Sequence, residues 1–244
     1  MNEREITAAR LNDLAGRAFS RGYTVYSDFL NMEELSILHS LRLPSAFTLF
    51  GGFEGAERCV AAFGESTPEA FPIVCVCIKP AAKKFAEKLT HRDYLGALMN
   101  LGINRCTLGD IAIQDGTAYL FCLQSIAGYI TDNLTRIRHT TVRCEAVTEL
   151  PEFISEKPPE TELTVPSLRI DAVIAAVYRL SRNEASALLK GERVFINSRL
   201  ITKESALLKE GNTVSVRGHG RFIYENTLKT TKKARLVISI RKYG

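Results

Sequence analysis

Apolar residues fall on one helical face over residues 4–21, where Ile6, Leu11, Leu14, Ala15, Ala18 and Phe19 form the stripe and Gly22 ends it. A second helix starts after Asp28 or Asn31, buries Met32, Leu35, Leu38 and Leu41, and is stopped by Pro44. Residues 46–50 read as a strand by composition. They run into Gly51-Gly52-Phe53-Glu54-Gly55, a turn with unusual backbone angles. A glycine-rich turn can cradle phosphate, but no Lys-Ser/Thr follows here, so the pattern favours a hairpin turn.

From residue 71 the periods alternate in a recognisable order. Residues 71–78 form a buried strand through Ile73, Val74, Val76 and Ile78. Thr90 and Asp93 then make a capping box for a helix with Leu95, Leu98 and Leu101 as its stripe and Gly102 as its stop. Residues 110–113 and 118–123 alternate around Asp115-Gly116, a hairpin signal. A helix over 125–138 and a strand over 142–147 follow. The order βαββαβ predicts a ferredoxin-like α+β sandwich over 71–148, behind a helical and hairpin segment over 1–70. Residues 149–164 hold Pro151, Pro158, Pro159 and five glutamates against one lysine, and read as an extended acidic linker.

The last stretch, 165–244, is punctuated as a small α+β domain. Ser167 caps a short helix carrying Val173, Ile174 and Val177. Ser181 and Glu184 form a capping box for a second helix, with Ala185, Leu188 and Leu189, ending at Gly191. Strand signals follow at 194–196, 199–201, 214–216 and 236–240. The whole chain is therefore expected to be α+β, with two helices packed on a small twisted sheet at its C-terminal end.

Charge changes this picture most. Residues 165–244 carry 16 Lys/Arg against 6 Asp/Glu, a net of +10, while residues 1–164 carry 16 against 21, a net of −5. The modest overall +5 hides a strongly basic domain, which calls for a polyanionic partner: nucleic acid first, an anionic membrane second. The most apolar run, 71–78, is too short to span a bilayer, and residues 1–10 lack the apolar core of a signal peptide. The expected location is the cytoplasm, with the six scattered cysteines reduced and mostly buried.

Candidate chemistry concentrates in residues 169–221. Arg169, Arg182 and Lys190 stand at helix starts and ends, and Asn197, Arg199, Lys203 and Arg217 in the adjoining strands and turns, so they are expected to form one positive face for phosphate oxygens. Ser181, Arg193, Arg221, Lys232 and Lys233 complete the candidate RNA-contacting set. Arg58, Arg92 and Arg105 are candidates for a second RNA or partner surface. Phe222, Tyr224 and Tyr243 lie among basic residues and can stack on bases or pack in the core. His91-Arg92-Asp93 copies the start of a kinase catalytic loop, but Asn100 is two residues too distant and no phosphate loop or Asp-Phe-Gly accompanies it. His39, His91, His139 and His219 have no ligand spacing, so neither a metal nor a cofactor is expected.

Arg169-x-Asp171, Ser181-Arg182-x-x-Ala185, Lys190-Gly191, Val194-x-x-Asn197, Lys203 and Gly211-x-x-Val214 together resemble the RNA-binding domain of the ribosomal protein S-four type. Ser198 replaces the usual glycine after Asn197, which predicts a less tight turn. Upstream, Gly51-Gly52, Ala56-Glu57-Arg58, His91-Arg92-Asp93-x-Leu95-Gly96-Ala97, Leu101-Gly102-Ile103 and Gly109-Asp110-Ile111 resemble the bacterial YlmH family. So do Gly218-x-Gly220-Arg221-Phe222 and Thr231-Lys232-Lys233-x-Arg235. This resemblance implies a non-enzymatic RNA-binding protein acting on rRNA or tRNA at the large ribosomal subunit, in the rescue of stalled nascent chains; a monomer with no small-molecule substrate is expected. Two alternatives stand beside it: an RNA-modifying enzyme of pseudouridine-synthase type, for which no catalytic Asp context is found, and a cell-division adaptor.

Overall fold

The computed structural model describes residues 2–82 and 86–243, which divide into two units, Met1–Ser155 and Glu156–Gly244. Helix α1, Glu3–Arg21, opens on a reciprocal cap between Asn2 and Glu5 and closes on Gly22, whose φ of 68° is left-handed. Leu11, Ala15 and Ala18 are buried as expected, but Ile6 and Phe19 stay exposed at the margins of the stripe. Helix α2, Met32–Ser40, is capped by Asn31 and Glu34, and ends at Ser40, ahead of Pro44. Both helices pack on an antiparallel sheet of order β1-β3-β2, built from β1 (Val25–Leu30), β2 (Phe47–Phe50) and β3 (Cys59–Phe63). The glycine-rich stretch is the connection of the β2–β3 hairpin. Gly52 has φ 100°, and a Cβ there would collide with the Phe121 ring, so the position needs glycine for two reasons.

The next elements are β4 (Ile73–Pro80), α3 (His91–Asn100), β5 (Leu108–Gln114), β6 (Thr117–Leu123), α4 (Gln124–Asn133), the short β7 (Arg136–Ile137) and β8 (Thr140–Val147). The antiparallel order β5-β6-β4-β8-β7 is the ferredoxin-like arrangement that the element order predicts, with one extra edge ribbon. Asp115 and Gly116, at φ 50° and 77°, make the two-residue turn between β5 and β6. Helix α4 ends at Asn133 rather than at 138. Leu134 and Ile137 are both buried, and their spacing of three imitates a helical stripe although Leu134 lies in the turn after α4 and Ile137 in β7.

The boundary expected at residue 70 does not divide the first unit. One face of the ferredoxin-like sheet packs through Cys75 and Phe121 onto Phe29, Val60, Ala62 and Phe71, so the two segments share a core, closed by Ile154 from α5 (Glu152–Ser155). Cys75 and Cys122 are core thiols, each pushed up to about 12 by burial.

The second unit comprises β9 (Glu160–Val165), α6 (Ile170–Tyr178), α7 (Arg182–Lys190), β10 (Val194–Ile196), β11 (Arg199–Leu200), β12 (Asn212–Val216), β13 (Gly220–Thr230) and β14 (Leu236–Lys242). They form a six-stranded sheet of order β11-β10-β12-β13-β14-β9. Ile170, Val173, Ile174, Ala185 and Leu189 from the helices bury against Val194, Val214, Val216, Phe222, Tyr224, Ile238 and Ile240. The expected acidic linker is thus shorter than 149–164. Its last residues are an edge strand, in which Leu163 and Val165 turn to the core while Glu160 on the other side pairs with Arg241 and accepts from Ser239. Arg169, not Ser167, occupies the cap position of α6.

Candidate nucleic-acid interface

The basic site is built around one acid. Asp171, in the first turn of α6, is only 3% exposed. Its Oδ1 accepts from Arg169 Nε at 3.2 Å and from the backbone N–H of Ala172 at 2.9 Å. Its Oδ2 accepts from Arg169 Nη2 at 3.1 Å and from Arg182 Nη2 at 2.6 Å. Burial alone would raise the Asp171 carboxyl, but the hydrogen bonds and charges of the two arginines outweigh it and hold the group below the ordinary carboxylate range. One carboxylate therefore fixes two guanidinium groups, whose side chains remain 41% and 47% exposed and reachable by a ligand.

Helix α7 continues the same surface. Arg182, Ser186 and Lys190 recur every four residues and lie on one stripe. Glu204, from the loop after β11, accepts from the Ser186 hydroxyl and pairs with Lys190 at 3.4 Å. The Ser186 hydrogen bond, against a smaller desolvation effect, lowers the Glu204 carboxyl. Lys203 is exposed beside it. Three cations thus stand around two carboxylates, each of which is already engaged, and the surface keeps a net positive charge.

The other candidates lie on the sheet and its turns. Strand β10 sets Asn197 at one end and Arg193 at the other. Asn197 and Ser198 form a two-residue hairpin turn at φ 49° and 60°, as tight as a glycine would make it, and Asn197 Oδ1 accepts from the Thr213 N–H at 2.9 Å. Arg199 is exposed on β11. At the opposite end Arg217 donates its N–H to the Arg193 carbonyl, and its guanidinium lies 5.5 Å from the Phe195 ring centroid. Arg221 stacks on Tyr243 at 3.9 Å. Lys232 and Lys233 sit in the β13–β14 turn, separated from Arg217 by an eleven-residue strand, about 33 Å along an extended chain. Arg217 and Arg221 therefore stand at one end of β13 and Lys232 and Lys233 at the other, so the candidates do not all share the single positive face expected from sequence.

Ser181 is committed to the cap of α7, where its Oγ accepts from the Glu184 N–H at 3.2 Å. Phe222 and Tyr224 are core residues, 0% and 1% exposed, which removes them as base-stacking groups. In the first unit, Arg58 Nε donates to the Leu108 carbonyl at 2.8 Å and Nη2 to the carbonyls of Phe29 and Arg105. Arg105 Nη1 donates to those of Leu108 and Gly109. Arg58 ties the two segments of that unit together and Arg105 braces the turn into β5, and desolvation lowers each, Arg105 to about 10. Arg92, in contrast, is exposed on α3. Asp93 accepts from the Thr90 backbone N–H at 2.8 Å and from its hydroxyl at 2.7 Å, so the kinase-like triplet is a helix cap. Among the described residues no group of three or more His, Cys, Asp or Glu is placed to hold a metal, and no helix is long and apolar enough to cross a membrane.

The structure ties Arg169 and Arg182 to Asp171, and Lys190 to Glu204, a residue the sequence reading did not single out. The four-residue spacing along α7 was a signal for the stripe; nothing local links Glu204 to it from fourteen residues away.

A sequence profile described as "Putative RNA-binding domain in YlmH" matches residues 67–150, the ferredoxin-like part of the first unit. A protein of Bacillus subtilis (strain 168) named "Ribosome-associated protein quality control protein P2" is 32% identical over 216 residues, which is 85% of this chain and 82% of that protein. A solved structure titled "Cell division protein ylmH from Streptococcus pneumoniae" aligns with a TM-score of 0.49 and 21% identity, over 61% of this chain and 93% of that one. With the profile match and a relative of this identity spanning most of both chains, the chain belongs to the YlmH family.

Proposed function

We propose that this chain is a non-enzymatic RNA-binding protein whose second unit, an S-four-type domain, docks on structured RNA through the α6–α7 face. The observation that carries this is the pair of guanidinium groups locked on Asp171, continued along α7 by Lys190. Preset, partly exposed guanidinium forks suit the bidentate geometry of phosphate oxygens, and they position an RNA by shape rather than by sequence. The relative in Bacillus subtilis is named for ribosome-associated quality control. We place this chain accordingly in the cytoplasm as a monomer, on rRNA or tRNA of the large ribosomal subunit during the rescue of stalled nascent chains.

Co-sedimentation with ribosomal subunits tests the reading. The wild-type chain is expected in the large-subunit fraction, and Arg182→Ala/Lys190→Ala is expected to leave it while remaining folded; retention of that variant would count against the face. Mass mapping of RNA from a deletion strain should show every modification present. A missing one would revive an enzymatic role.

A further inference from the structure

Neither face of the ferredoxin-like sheet is open. Helices α3 and α4 cover one through Leu98 and Ile130, and Phe29, Val60 and Phe71 cover the other. A ligand of this domain must therefore meet a helix surface, an edge or a groove. One groove is cationic: a cleft of about 500 Å³ lies between α3, the end of α4 and the β7–β8 turn, bordered by Arg92, Gly96, Asn100, Asn133, Arg136 and Arg138.

Arg92, Gly96 and Asn100 recur every four residues, so they occupy one stripe of α3, and all three are exposed. Arg136 and Arg138 flank buried Ile137 and are exposed on the other wall. Asp93 is the single carboxylate among the lining residues. It caps α3 and pairs with Arg138 at 3.4 Å, while Arg92 and Arg136 have no carboxylate partner among the described residues. Arg138 is held at φ 53°, a left-handed turn position that Gly or Asn adopts more readily. Gly96 is unfavourable inside a helix, yet a Cβ added there would meet nothing within 4 Å. Its bareness serves no internal packing, and it leaves one wall of the cleft low.

We propose that this cleft is a second RNA site, in which Arg92 and Arg136 take phosphate oxygens of the sugar–phosphate backbone and Asp93 positions Arg138 beside them. The amides of Asn100 and Asn133 and the hydroxyl of Thr135 between the arginines suit phosphodiester and 2′-hydroxyl groups better than acyl chains. The inference rests on the RNA-binding reading of the whole chain, and it makes the first unit a second point of contact.

The test is filter binding of the full chain to a transcribed tRNA over a series of salt concentrations. Four variants are compared with wild type: Arg92→Ala/Arg136→Ala, Gly96→Glu, Arg182→Ala/Lys190→Ala, and, as a control on α1, Arg4→Ala/Arg17→Ala. The cleft double variant should flatten the log–log salt slope by roughly 0.7–0.9 for each arginine that meets a phosphate. Gly96→Glu, which has room for its side chain and improves helix propensity, should lower affinity several-fold with a urea midpoint no lower than that of wild type; the control should bind like wild type. If both cleft variants bind like wild type while Arg182→Ala/Lys190→Ala is weakened, this inference is overturned and the α6–α7 reading survives. If wild type itself shows no salt-sensitive tRNA binding, both are overturned. Cleft variants that lose binding to phosphatidylserine vesicles yet keep tRNA binding would assign the cleft to a membrane and also overturn the RNA site.

Discussion

Asp171 shows how a buried charge becomes useful. Its carboxylate is out of water but accepts from two guanidinium groups and one backbone N–H, so its burial is compensated and the arginines are set in place before any ligand arrives. Asp171→Ala is expected to destabilise the chain by about 1–3 kcal/mol in urea unfolding at neutral pH, since it leaves partly buried donors without acceptors. The pH dependence has a fixed sign. A carboxyl held below its unfolded value, about 3.9, contributes stability that is present above that pH and lost as pH falls through the folded value. The gap between wild type and Asp171→Ala should therefore shrink when the urea midpoint is measured near pH 3. A gap of equal size at both pH values would mean that the ion pairs are not its source.

At the scale of elements, the parts that were legible are those governed by local chemistry. The capping boxes at Thr90–Asp93 and Ser181–Glu184 and the Asp115-Gly116 turn stand where the residues predict them, because a cap or a two-residue turn is decided within four positions. The strands that were missed depend on distant partners. In β1, Ser27 interrupts the apolar pattern, yet it is buried and accepts from the Ala61 N–H at 2.9 Å. In β13, irregularities at 224–226 and 227–229 break the period of two. In β9, glutamates hide the alternation that seats Leu163 and Val165. The site was legible to the same extent: spacing along α7 exposed Arg182 and Lys190, while the placement of Arg217 and Lys232 at opposite ends of β13 follows from strand register. The Asn197-Ser198 turn yields a prediction of its own. Both residues are left-handed, so Ser198→Gly should stabilise the chain by about 0.5–1 kcal/mol, read as a higher urea midpoint at unchanged slope. Asn197→Ala should destabilise it, because it also removes the acceptor of the Thr213 N–H.

For the whole molecule, the decisive property is the division of charge, −5 over residues 1–164 and +10 over 165–244, with the cationic cleft in the ferredoxin-like part as a local exception. A basic unit of this strength draws polyanions at long range, and under the proposed function the ordered face on α6 and α7 turns that attraction into a docked geometry. Such binding must release counterions. The most direct measurement is the affinity of the full chain for structured RNA as a function of salt. With about five phosphates neutralised, the log–log slope should lie near −4, and Arg182→Ala/Lys203→Ala should make it shallower by roughly 0.7–0.9 per lost contact while the far-UV circular dichroism stays that of the folded chain. A slope near zero in wild type, or an identical slope in that variant, would contradict the account.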